Sequence, residues 1–146
     1  MPVRRLLLLI AALACAAAPN TFGQTRIFVA PFANHDLRDA VVRVLHEQKN
    51  VVVVDAEPLA EYAISGEGET HIKGYLSRNP RVRYVNADAR AVYKGFLSVE
   101  LKNKLGDTVW SNLVTPRKTG PDEVNRNLAV QVVDQLMSFL SNPKTP

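Results

Sequence analysis

Residues 25–55 read TRIFVAPFANHDLRDAVVRVLHEQKNVVVVD, and two changes of hydrophobic period inside them set the fold class. Residues 25–32 are β-branched and aromatic and close on Pro31, the composition of a strand that is buried where both of its faces are apolar. From Asp36 the period lengthens: Leu37, Val41, Val44, Leu45 and Gln48 keep helical spacing, with Asp36 as the expected N-cap and Asp39 three residues on in a capping-box position. Asn50 ends that helix, and Val51, Val52, Val53 and Val54 form a run too short for anything but a buried strand. Strand, helix and strand in that order make a βαβ unit, with parallel strands and a right-handed crossover.

Outward toward the C-terminus, residues 57–62 read as a short helix with Pro58 in its first turn, and residues 63–76 as extended chain in which Gly66 and Gly68 mark a bulge or a close backbone contact. Residues 77–90 lose periodicity around Asn79-Pro80, the signal of a loop or a loose hairpin tip. Tyr93, Leu97, Val99 and Leu101 then alternate with Lys94, Ser98, Glu100 and Lys102. After a turn at Gly106, residues 108–115 resume as a second strand, so the pair is a hairpin with one solvated face. Gly120-Pro121-Asp122-Glu123 opens a last helix with acids in its first turn, and Val124, Leu128, Val132, Leu136, Phe139 and Leu140 form its apolar stripe. The expected architecture is α/β, a single mixed β-sheet of about five strands in βαβ(α)βββα order with the helices packed on one face. Its core should hold Ile27, Val29, Val41, Leu45, Val52, Val54, Leu97, Val99, Leu128, Val132 and Leu136, with Trp110 joining it.

Upstream of residue 25, Arg4 and Arg5 precede an apolar run over residues 6–18 and a small-residue region ending at Gly23, the pattern of a secretory signal peptide. A run this short cannot span a hydrocarbon core of ~30 Å, which takes about 20 residues, and no later segment comes close, so no transmembrane segment is expected in the mature chain. The expected division is a signal peptide over residues 1–23, one α/β domain over 24–141 and a disordered tail over 142–146. Of 146 residues, 123 would remain after cleavage, enough for one domain with a modest core. The formal charge of +4 falls to +2 when Arg4 and Arg5 leave, which selects no class of partner. Cys15, the single cysteine, lies in the leader, so a chain cut after it has no thiol, which excludes cysteine nucleophiles, zinc ribbons and redox pairs. Cleavage directly before Cys15 would make it a lipidation site. Ala14 suits such a cut, but Ala12 and Leu13 stand where bacterial lipoproteins usually carry a leucine and a small residue. Cleavage after Gly23, with Thr21 and Gly23 at the recognition positions, gives a soluble exported product, periplasmic or associated with the outer membrane.

Three local patterns carry a family resemblance: IFVAPF over residues 27–32, the Ala63-Ile64-Ser65-Gly66 strand after a short helix, and the Gly106-Asp107-Thr108-Val109-Trp110-Ser111 turn before an amphipathic terminal helix. Together they resemble the exported α/β domain shared by the curli-secretion lipoprotein, the lipoprotein activators of penicillin-binding proteins, and the amino-terminal domain of TolB. The likeness spans most of residues 25–141, and its apolar motifs describe a fold rather than a reaction. The chain departs from that group in lacking the membrane-inserting hairpins of the curli pore and the propeller that follows the TolB domain, and in carrying an arginine-rich insertion. The resemblance implies a non-enzymatic accessory or assembly protein of the cell envelope that works by protein–protein contact. The alternative is a small exported hydrolase or ligand-binding protein.

Candidate sites follow from residue types. Glu67, Glu69 and His71 alternate along one strand face and could present two carboxylates and an imidazole to a metal ion, although Lys73, next on that face, would repel it; a plain solvated face is the favoured reading, and no metal site is assigned. Gly66-Glu67-Gly68 lacks the third glycine and the helix of a phosphate loop. His35 stands beside Asp36 and Asp39, and His46 beside Glu47, but no serine lies in a nucleophile elbow, so no catalytic residue is assigned and no cofactor is called for. The binding residues expected are Arg78, Arg81, Arg83, Tyr84, Arg90 and Tyr93, because guanidinium forks grip carboxylates and phosphates and tyrosines stack. Suitable partners are envelope proteins, with anionic glycan or lipid as further ligands and no nucleic acid for an exported chain; oligomers would form through an exposed sheet edge.

Overall fold

In the computed structural model, which describes residues 23–76, 89–121 and 123–142, the order is β1 (Thr25–Val29), α1 (His35–His46), β2 (Val51–Val54), a single 3-10 turn (Glu57–Leu59), β3 (Tyr62–Leu76), β4 (Arg90–Asn103), β5 (Thr108–Val114) and α2 (Val124–Ser141). The leader with Cys15, and with them Arg78, Arg81, Arg83 and Tyr84, lie outside the described residues, as does the tail beyond Asn142. Among the described residues one mixed sheet has the order β2-β1-β3-β4-β5. β1 runs parallel to β2 and β3, and β4 antiparallel to both of its neighbours. This is the α/β architecture expected from the alternation of strand and helix periods.

Both helices cover one face. The buried strand side chains Ile27, Val29, Val51, Ile64, Leu97, Val99, Leu101 and Val114 pack there against Leu37, Val41, Val44 and Leu45 of α1 and Leu128, Val132, Val133 and Leu136 of α2. Trp110 sits half-buried at the margin of this core, its ring 6.4 Å from that of Phe139 between centroids.

Two core positions differ from expectation. In the parallel pairing of β1 and β2, Thr25 lies opposite Val51 and Phe28 opposite Val54, so Val51 and Val53 share the helix face with Ile27 while Val52 and Val54 turn to the other side. Val51 is buried, Val52 is 37% exposed, and Val54 is half-buried. Four identical valines carry no alternation, so nothing in their sequence chooses which pair faces in.

The helix ends differ too. Asn34, not Asp36, caps α1, its Oδ1 accepting the Leu37 N–H at 3.2 Å. Asp36 lies inside the first turn, where its charge still complements the dipole. Phe32 anchors the chain just ahead of this cap: its ring fills the space where a Cβ on Gly66 would stand, and Leu37 packs over Gly68 in the same way. The two glycines therefore mark a close contact, and the register shift in β3 falls further on, between Ile72 and Gly74. At α2, Glu123 occupies the N-cap position without a side-chain capping bond, and the first turn holds no acid. Its carboxylate is turned to Arg90 and Lys118, at 3.6 and 3.7 Å.

Candidate functional site

β3 and β4 outrun the rest of the sheet. β1 pairs with β3 only over Tyr62, Ala63 and Ile64, and β5 pairs with β4 only from Leu97 to Lys102. Past Gly68 and Leu97 the β3–β4 ladder continues as a two-stranded arm, through Ile72 opposite Tyr93, a bulge, and Leu76 opposite Arg90. A bulge bends the strand and increases its local twist. The arm is strapped on one side by the β5–α2 connection: the Tyr93 N–H donates to the Thr119 carbonyl at 2.8 Å, and Arg90 reaches Glu123.

The arm exposes apolar side chains that no described element covers. Ile72 is 46% exposed, Tyr75 55% and Leu76 64%, and because Tyr75 and Leu76 are consecutive in a strand they point to opposite sides of it. Beside them Lys73 and Lys94 are exposed and close enough that a hydrogen bond from Lys73, together with its charge, lowers the Lys94 pKa below the ordinary lysine value. Neither lysine has a carboxylate within 4 Å among the described residues.

Of the binding residues expected from sequence, two fall on this arm. Arg90 begins β4 and is exposed but ion-paired; Tyr93 is half-buried. The arginine cluster 78–83 belongs to the segment joining the arm's two strands, outside the described residues. Lys73, Ile72, Tyr75 and Leu76 were not singled out as binding residues. Their signal is an apolar or basic side chain at successive positions of a strand, which alternation with one buried face would forbid.

Glu67, Glu69 and His71 do share the face away from the helices, with His71 Nδ1 3.8 Å from Glu69 Oε1. Among the described residues no group of three His, Cys, Asp or Glu converges as metal ligands would. His35 lines a broad, solvent-open depression with Asn34, Asp36 and Glu69. That lining supplies an imidazole and two carboxylates but no hydroxyl or thiol nucleophile. His46 stands exposed at the other end of α1. Between the helices, Asp36, Asp39, Arg43, Glu47, Asn125 and Arg126 line a cleft of about 260 Å³, and Arg126 is bound to Glu47 at 3.3 Å, so its charges compensate within the cleft.

The sheet face opposite the helices is the other large surface. Its central row is polar, with Ser65, Glu67, Ser98 and Glu100 lining a groove between β3 and β4. Half-buried Phe28, Val54 and Ala63 flank it on one side, and Leu113, 63% exposed, on the other. No described helix is long and apolar enough to cross a membrane.

No protein-family model and no curated protein matches the chain. Among solved structures it is similar to a PelC dodecamer from Paraburkholderia phytofirmans, at 20% identity and a TM-score of 0.52 over 75% of this chain and 86% of that one. It is also similar, more distantly, to a protein from Xanthomonas campestris, at 12% identity and a TM-score of 0.48 over 84% and 89% of the two chains. At this identity the chain shares with PelC its fold, and the fold alone.

Proposed function

We propose that this chain is an exported, non-enzymatic accessory protein of the cell envelope, related to the curli-secretion, penicillin-binding-protein-activator and TolB-domain group, that works by docking on protein surfaces. The observation that carries this reading is the arm: a two-stranded projection with exposed Ile72, Tyr75 and Leu76 beside Lys73 and Lys94, which have no carboxylate within 4 Å among the described residues, the core of the described residues holding none of them. Side chains spared from packing are free for recognition, and tyrosine and arginine are enriched among binding hot spots. A solved structure with a similar fold, PelC, is a dodecamer, and assembly in several copies belongs to the same reading. Replacing Arg78, Arg81 and Arg83 by Ala should leave thermal stability nearly unchanged and weaken salt-sensitive capture of envelope partners. Equal capture at equal salt tolerance would place the docking surface elsewhere, first along the β5 edge.

The second reading, a small exported hydrolase or ligand-binding protein, draws on the depression where His35, Asp36 and Glu69 meet. Without a nucleophile in the lining, its chemistry would be general acid–base work on a bound water. His35→Ala separates the two readings: it should abolish a hydrolytic activity and leave docking intact.

A further inference from the structure

Charge is segregated along this chain in a way that neither its modest net value nor any single site conveys. The described residues of the arm, 69–76 and 89–96, carry Lys73, Arg90 and Lys94 against Glu69 alone, a formal +2, whereas the chain from residue 24 onward outside 69–96 carries ten Lys and Arg against twelve Asp and Glu, a formal −2. The acids are placed as well as counted. Glu67 and Glu100 flank the groove in the open sheet face, and both are exposed. Glu100 is shared with Lys102 at 3.9 Å, and Glu67 has no cation within 4 Å among the described residues.

We infer, resting on the docking reading above, that a partner of the arm is a second copy of this chain: the cationic, apolar arm of one protomer seats on the acidic open sheet face of the next. The two surfaces complement each other in chemistry as well as charge. Lys73 and Lys94 are crowded together with no carboxylate within 4 Å among the described residues, so each gains when carboxylates approach. Ile72 and Leu76 would cover the apolar flanks of the groove, where Phe28 and Val54 lie on one side and Leu113 on the other. Arm and face are built from the same two strands, in one continuous ladder, so an arm cannot fold back onto its own face and the contact has to be intermolecular. Because the two patches differ, the contact is heterologous, each open assembly keeping one free arm at one end and one free face at the other until a ring closes or a filament grows.

The size of the arm sets the strength. About seven residues per strand give ~23 Å of length, a footprint at the small end of specific interfaces. Such a contact depends on its electrostatics and is therefore salt-sensitive.

Sedimentation velocity of the purified protein at about 50 mM and about 500 mM salt tests this directly. The expected result is concentration-dependent association at low salt, weakened at least tenfold at high salt. The double variant Lys73→Glu with Lys94→Glu should be monomeric, and so should Glu67→Lys with Glu100→Lys, all four positions being exposed. Mixing the two variants should restore association, because the carboxylates placed at positions 73 and 94 of one variant then meet the ammonium groups placed at positions 67 and 100 of the other, while the unaltered arm of the second meets the unaltered face of the first. Should the reversed arm fail to fold, Lys73→Gln with Lys94→Gln makes the same comparison, with weakening in place of loss. A wild-type protein that stays monomeric at low salt overturns the inference, as does an oligomer indifferent to both charge reversals, or a mixture of variants that stays monomeric. The docking reading fails separately: it stands if the arm variants lose envelope partners while the purified protein is a monomer, and falls if arm variants keep those partners.

Discussion

Lys73 and Lys94 are held side by side by the cross-strand geometry of the arm, at an energetic cost that depends on pH. The Lys94 ammonium is disfavoured because a neutral amine there can accept a hydrogen bond from Lys73 and escapes its charge, and the Lys94 pKa drops below 10.5. In the unfolded chain Lys94 keeps the ordinary value, so between the two values the unfolded state binds more protons and folding stability rises with pH. Lys73→Gln should move the titration of Lys94 upward, back toward the ordinary lysine range, as followed by NMR of its Cε. An unchanged titration would mean that the two side chains do not meet.

At the scale of elements, α2 contributes Leu128, Val132, Val133 and Leu136 to the core, all fully buried. Leu128→Ala should cost about 2–5 kcal/mol in denaturant unfolding, by lost transfer energy and the cavity left behind. A loss below ~0.5 kcal/mol would show that the helix is not packed on the sheet. This helix was legible because its stripe recurs at helical spacing through five turns, and β4 because apolar and polar residues alternate along it. The facing of β2 was not legible, since four valines have no period to read. Nor was the cap at Asn34: three polar residues in a row, Asn34, His35 and Asp36, can each begin a helix, and the choice belongs to Phe32, buried far along the chain against Gly66. The arm was visible as a cluster of arginines, but its exposed Ile72, Tyr75 and Leu76 read as ordinary strand. Exposure of an apolar strand residue depends on whether a neighbouring strand reaches that far, a property of strand lengths across the sheet.

Among the described residues the molecule has two layers where the sheet could hold three, one face closed by α1 and α2 and the other open, with the basic arm extending from the middle of the sheet. Such a molecule is suited to a crowded compartment only if its open face is polar or partnered, and the central row of Ser65, Glu67, Ser98 and Glu100 meets that condition. On the proposed reading, the compartment is set by the first 23 residues. Cleavage after Gly23 removes Cys15 and leaves a chain free to diffuse between partners; cleavage before Cys15 retains it with lipid, and a diacylated cysteine with a further acyl chain would fix the domain at a membrane surface. The two outcomes differ for assembly, because tethering confines protomers to a plane and raises their effective concentration. We expect cleavage after Gly23, so Cys15→Ser should leave the amount of soluble exported protein unchanged, and mass spectrometry of the mature protein should find its amino terminus at Gln24. Movement of the protein from the membrane fraction to the soluble fraction on Cys15→Ser would establish the lipidated form instead. The salt-sensitive association expected of the arm and the open face would then act between protomers already confined to one surface, where a contact too weak for dilute solution is strong enough to assemble them.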